Sequence, residues 1–306
     1  MAGSAQRSAL PVSFGRISSM RFWVFQILNG LTLGSLLFFV AGGLTVVFGL
    51  MRILNLAHGA IFLFGGFVGF TIQAATGSFV WALLGGLLAA AVLGLAIQQV
   101  FSRTLLGTPF NQVLLTLGLA FILNNLILTI WGGVPRVLRA PPMLQGSVSV
   151  FGVTYTVYRL FLIVLALLAG FALWIFWERS RLGSVVRACV DDRQMAAAMG
   201  IRVNVVFAIV FTVGAGLAGL AGVLGGPVLG ISIGLDFEVL LLAVVVIVVG
   251  GIGSLSGAFV ASMLVGLIDA IGKALFPELS YFTLFAPVIL ILLIRPLGLL
   301  GKIAPE

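Results

Sequence analysis

The chain is 306 residues long, 61% hydrophobic and only 8% charged, with a formal net charge of +8. A water-soluble domain cannot cover that much apolar surface with so few charged side chains, so lipid must be its main solvent. The arginine and lysine excess fits cytoplasmic loops facing anionic lipid head groups, and no nucleic acid is expected as a partner.

After a tail over 1–24, the first apolar run covers 25–50. It is too long for the apolar region of a signal peptide and lacks a convincing cleavage site, so it stays in the membrane. Further runs follow at 59–77, 79–101, 111–132, 158–177 and 204–229, then a tight pair at 238–252 and 255–275, and a last one at 281–295. Most are near the span length of about 20 residues. Backbone polar groups in lipid must be bonded internally, and no alternating barrel pattern is present. The expected fold is therefore all-α: a polytopic membrane bundle of about eight transmembrane helices over 25–298, with a tail at 299–306. Small residues at four-residue spacing predict close helix packing: Gly30 with Gly34, Gly65 with Gly69, Gly222 with Gly226 and Gly230, and Gly253 with Gly257.

Two connections are long. The first, 133–157, carries Pro135, Pro141, Pro142 and Gly146, and its stretch from Val148 to Thr156 predicts a small hairpin outside the membrane. The second, 178–202, concentrates Arg179, Arg181, Arg187, Arg193 and Arg202 around Asp191 and Asp192. The densest positive charge places it in the cytoplasm. Counting outward puts Arg52, Arg103, Arg295 and Lys302 inside. The same count exports the N-terminal tail despite Arg7, Arg16 and Arg21; a re-entrant 59–77 segment is the alternative.

The sequence has no G-x-x-x-x-G-K-[ST] loop, no His/Cys metal cluster and no Ser/His/Asp set. With His58 as the single histidine, no catalytic or metal-binding residue is assigned and the chain is not read as an enzyme. Cys189, the only cysteine, excludes an intrachain disulfide and reads as a small filler. Asp236, Glu238, Asp269 and Lys273 lie near segment ends, so the mid-membrane charge of an ion-coupled carrier is missing. Asp236 and Glu238 fall outside, where they meet a binding protein or solvate a loop end.

Asn55 and His58 beside Gly59 fit a broken helix facing a water-filled path. A cytoplasmic turn with Asn55 capping the next segment carries more weight. Asn124 and Asn125 within the 111–132 run are costly in lipid unless bonded, and serve as helix–helix glue or line the route. Between Ser184 and Gly200 a short helix is expected, with Ser184 as N-cap and Gly200 as a left-handed stop. On these residues alone, a docking surface and an ordinary solvated loop are both open.

The run Arg187-Ala-Cys-Val-Asp-Asp-Arg-Gln-Met-Ala-Ala-Ala-Met-Gly-Ile201 resembles the coupling segment of ABC-importer permeases, specifically the LivH-type permease of branched-chain amino acid transport systems. Asn29-Gly-Leu-Thr-Leu-Gly-Ser35, Gly43-Leu-Thr-Val-Val-Phe-Gly-Leu50, Leu54-Asn-Leu-Ala-His-Gly59 and Val249-Gly-Gly-Ile-Gly-Ser-Leu-Ser-Gly257 resemble the same family in the same order. The likeness covers about 25–298. Two departures are Gln194-Met195-Ala196 where the general pattern has Glu-Ala-Ala, and Ala60 where an acidic or polar residue is usual.

The resemblance implies a permease subunit of an ATP-driven importer for branched-chain or related small amino acids, multi-pass in the bacterial inner membrane. It implies a second similar permease, two cytoplasmic ATPase subunits that use ATP and magnesium, and a periplasmic binding protein, with no cofactor on this chain. Related systems carry urea or short amides. Arg187, Ala188, Asp191, Asp192, Gln194, Met195, Ala196 and Gly200 would contact the ATPase, with Ala196 closest and Gly200 turning back to the membrane. The competing reading is an ion-coupled carrier or channel that works without an ATPase.

Overall fold

The computed structural model describes residues 13–51, 55–104 and 109–301, with the side chains at 13–19, 50–51, 101–104, 109, 280–281 and 283–284 left aside. Arg7, Arg52 and Lys302 lie outside the described residues, as do the side chains of Arg16 and Arg103.

Eleven α-helices follow in order among the described residues: α1 (Ser13–Met51), α2 (His58–Thr76), α3 (Phe79–Thr104), α4 (Pro109–Trp131), α5 (Val157–Arg179), α6 (Arg181–Asp191), α7 (Arg193–Ala198), α8 (Val203–Leu229), α9 (Leu235–Gly250), α10 (Leu255–Leu275) and α11 (Ser280–Ile294). Strands β1 (Ser147–Val150) and β2 (Val153–Thr156) pair antiparallel before α5, with Val148 opposite Tyr155. Among the described residues seven helices are long and apolar enough to cross a membrane: α1 to α5, α8 and α10. The other two apolar helices are shorter, α9 with 16 residues and α11 with 15. Helix α1 begins ahead of its expected start at 25.

The fold is a polytopic bundle around α8, which packs on α1, α2 and α3. Close approach explains the glycines. A Cβ on Gly34 would fall 2.7 Å from the Ser262 carbonyl oxygen, and one on Gly30 would fall 2.7 Å from Cα of Leu267. Gly65 sits against Gly219, and Gly222 against the Phe62 carbonyl. Such backbone contact supplies the packing and dispersion that hold helices together where lipid removes the hydrophobic drive. Gly226 faces Leu138, and Gly257 meets Gly250 in the α9–α10 turn. Gly230 differs from the expected packing role. Its φ of +72° ends α8, and no helix packs on it.

The hydrogen bonds define two ends. At one, the Tyr155 hydroxyl lies 2.9 Å from Thr32 Oγ1 and donates to Asn29 Oδ1, and Arg159 also donates to Asn29 Oδ1 at 2.8 Å. The N-terminal half of α1 therefore lies with the hairpin. At the other end, Gly49 of α1 meets Gly253, and the Leu299 amide donates to the Val249 carbonyl. Helix α5 runs from the hairpin end to α6 and α7. The hairpin and the α6–α7 segment therefore lie at opposite ends of the bundle.

Candidate functional site

Two polar constellations stand out, one inside the bundle and one at the end opposite the hairpin. The inner one forms where α2 and α9 begin. His58 Nε2 donates to the carbonyl of Val40, about midway along α1 between Asn29 at the hairpin end and Gly49 at the opposite one. His58 is thus at mid-bundle, which corrects the expected cytoplasmic turn. Asn55 is only 1% exposed; its Oδ1 accepts from the Ala57 amide, and its Nδ2 has no partner in the protein. The residue that caps α2 is Ala57, with no side-chain bond, so Asn55 braces the turn just before the helix.

Asp236, expected in an outer loop, is also buried here. A Cβ on Gly59 would collide with the Asp236 carbonyl, so the first turns of α2 and α9 touch backbone to backbone. The Asp236 carboxylate accepts from the Gly234 amide at 3.1 Å and from Asn124 Nδ2 at 2.7 Å. A carboxylate in the first turn of α9 also meets the positive end of the helix dipole. Asn124 therefore bonds across helices, and its Oδ1 is left unpaired. Asn125 points to the exposed face and donates only to the Phe121 carbonyl of its own helix. Glu238, two residues on and so on the opposite, exposed face of α9, shares none of these bonds.

The second constellation is α6–α7. The expected single helix from Ser184 to Gly200 is two helices, broken at Asp192. Ser180, not Ser184, caps α6, its Oγ accepting from the Gly183 amide. Asp192 leaves the helical region at φ −146°, and its Oδ1 accepts from the Gln194 and Met195 amides. A side chain that satisfies two free amides starts a new helix in preference to continuing the old one. Gly200 adopts φ +84°, the left-handed conformation that ends α7 and turns the chain into α8.

The faces of these helices separate two roles. Val186, Cys189 and Ala196 point inward and are buried. Ala196, expected closest to a partner, instead packs within the chain. Arg187 donates to the Trp177 carbonyl at 2.5 Å and lies 3.8 Å from Glu178, tying α6 to the end of α5. Arg193 stacks over the Phe207 ring at 4.9 Å, tying α7 to α8. Outward lie Ala188, Asp191, Asp192, Gln194, Met195, Ala197, Ala198 and Met199. Met195 and Met199, at 60% and 76% exposed, are one turn apart on the same face. Met199 was missed at sequence level, though its i, i+4 spacing from Met195 was the available signal. Burial raises the pKa of the Cys189 thiol, with nearby Arg193 opposing, so the cysteine is a poor nucleophile.

Residues 26–294 match the family described as the permease component of branched-chain amino acid transport systems. The chain is 33% identical over 301 residues to the high-affinity branched-chain amino acid transport system permease protein LivH of Escherichia coli, spanning 92% of this chain and 96% of that protein. It is 32% identical over 294 residues to the corresponding BraD protein of Pseudomonas aeruginosa, spanning 90% and 95%. The LivH protein of Salmonella typhimurium is 32% identical over 298 residues.

Proposed function

This chain belongs to the branched-chain amino acid transport permease family, and we propose that it is the membrane subunit of an ATP-driven importer for branched-chain or closely related amino acids. It is a multi-pass membrane protein and a transport component, not a catalytic enzyme. In this reading it sits in the bacterial inner membrane beside a second permease. Two cytoplasmic ATPases, which hold the ATP and magnesium, engage α6–α7, and a periplasmic binding protein delivers substrate at the hairpin end.

The observation that supports docking most is the exposed Met195–Met199 pair on a helix fixed at both ends. Methionine is unbranched and polarizable, so a pair of them fits an apolar groove on a moving partner. Asp192 and Gly200 fix the ends of α7, so a push on the methionines moves it as a unit. The Arg193–Phe207 contact carries the displacement into α8, and Arg187 carries it into α5. Helix α8 meets α1, α2 and α3 over glycines. Packed interfaces of this kind shift between discrete arrangements, which links nucleotide state to access from either side.

Asp236 gives one specific reason to weigh an ion-coupled carrier, because a mid-bundle carboxylate is what such a carrier needs. Here, however, the carboxylate is committed to Gly234 and Asn124. Uptake of labelled leucine by cells depleted of ATP, with the proton gradient maintained, separates the two readings. The importer loses uptake; uptake that persists on the gradient alone identifies the carrier. Competition by isoleucine and valine, but not by urea, sets the substrate class.

A further inference from the structure

Helix α4 packs mainly on α2, and one face of it, with Thr116, Ala120, Leu123 and Ile127, is buried. The opposite face is exposed and patterned. Asn111, Gly118 and Asn125 recur every seven residues, and Leu114, Phe121 and Leu128 follow each of them by three. All six are exposed. Seven residues bring a helix round to within about 20° of its start, so the six form one seam. Alternating steps of three and four mark the contact line of a left-handed helix pair. Among the described residues no helix of this chain lies against it.

Two residues of the seam do not suit lipid. The other glycines inside helices have a neighbour within 4 Å of a Cβ position, whereas Gly77, Gly132, Gly200 and Gly234, which have none, take a left-handed φ. Gly118 has neither reason: nothing lies within 4 Å and its φ is not left-handed. Glycine weakens a helix interior, and contact with lipid gives no cause to keep it there. Asn125 is the second. Its neighbour Asn124 bonds Asp236 in the mid-bundle node, so Asn125 stands at the same depth on the outside. Among the described residues it bonds only to the Phe121 carbonyl of its own helix. A primary amide has a further donor and an acceptor to satisfy, and hydrocarbon offers neither.

We propose that this face of α4 docks the second permease subunit, which lays its own α4 alongside in a parallel, left-handed pair. The inference rests on the importer reading, which supplies that subunit. Two permeases inserted in the same direction are related by an axis along the membrane normal, so equivalent residues meet at one depth. The seam matches itself under that operation. Gly118 lets the two backbones approach, and Leu114 and Phe121 fill the space on either side. The Asn125 amide, both donor and acceptor, pairs with a polar group at its own level. An amide on such a seam also fixes the register of the pair.

The test uses the intact importer, expressed with all its subunits. Gly118→Leu adds a side chain where the single chain has open space, so the variant still inserts and runs as one species in detergent. It is expected to lower both the second permease that co-purifies and ATP-dependent uptake at least tenfold, while Gly118→Ala keeps most of both. A benzophenone amino acid at position 114 yields an adduct with the second permease, identified by mass spectrometry. One at position 168, on the exposed face of α5, yields lipid adducts only. The adducts decide the matter if Gly118→Leu does not fold. Normal co-purification and uptake in Gly118→Leu, or lipid adducts alone from position 114, put this face in lipid and overturn the proposal. A second-permease adduct from position 168 and not from 114 also overturns it, and leaves the importer reading standing. If no second permease accompanies even the unaltered chain, the importer reading fails and the proposal with it.

Discussion

The mid-bundle node and the α6–α7 segment organise polar and apolar groups in opposite senses. In the node, Asn55, His58, Asn124 and Asp236 point inward and each makes at least one hydrogen bond there, while Phe121, Ile122 and Leu126 of α4 stand exposed on the outside of the bundle. In α6–α7, Val186, Cys189 and Ala196 point inward and charged groups face out. Exposure therefore means different things in the two regions. Leu293, at 77% exposed on α11, is ordinary for a lipid-facing side chain. Met199, at 76% on a segment rich in charged side chains, is in the proposed function an apolar group that a partner covers.

The largest expected effect comes from removing what both regions depend on, the glycine contacts of α8. Gly222→Leu drives a side chain into the Phe62 carbonyl. It is expected to abolish recovery of monodisperse protein in detergent, read by size-exclusion chromatography. Normal yield would show that α2 and α8 do not need this approach.

Next is the surface segment. Met195→Glu with Met199→Glu should reduce ATP-dependent uptake at least tenfold, a loss of about 1.4 kcal/mol or more in coupling, while membrane levels stay normal. The single changes are weaker, because either methionine alone still fills part of the groove.

The node gives a smaller effect on stability. Asn124→Leu takes a hydrogen bond from the buried Asp236 carboxylate and should lower bundle stability by about 1–3 kcal/mol, read as a lower thermal midpoint. Asn125→Leu, which removes only a bond within α4, should change it by less than about 0.5 kcal/mol. Equal shifts would erase the distinction between the neighbouring asparagines.

The smallest effects test the caps. Asp192→Ala should cost about 1 kcal/mol of local order in α7, seen as faster amide exchange at Gln194 and Met195. Ser184→Ala should leave exchange at the start of α6 unchanged, because Ser180 holds it.

Much of this was legible in the sequence, for identifiable reasons. Long apolar runs announce helices, Phe151–Gly152 closes a hairpin between alternating residues, and Gly200 stops a helix because only glycine takes φ +84° without strain. Depth was not legible. Hydropathy locates the ends of an apolar run but not the height at which it begins. Helices α2 and α9 start inside the bundle because Gly59 admits the Asp236 backbone, and the Arg136–Ile231 bridge draws the preceding loop inward. The break at Asp192 was hidden for another reason. Asp191 and Asp192 are equivalent in a helical pattern, and only geometry chooses which one caps. The inward turn of Ala196 follows from packing against the bundle, which a six-residue helix cannot reveal alone.

The central claim is that Met195 of α7 and Met199 at its end meet a partner in water, whereas equally exposed leucines elsewhere meet lipid. Photo-crosslinking settles it, with a benzophenone amino acid at position 199 or 293 in the intact transporter. The account predicts a protein adduct with the cytoplasmic ATPase from position 199, altered by ATP, and only lipid adducts from position 293. Lipid adducts from position 199, or a protein adduct that forms from the periplasmic side, would contradict it.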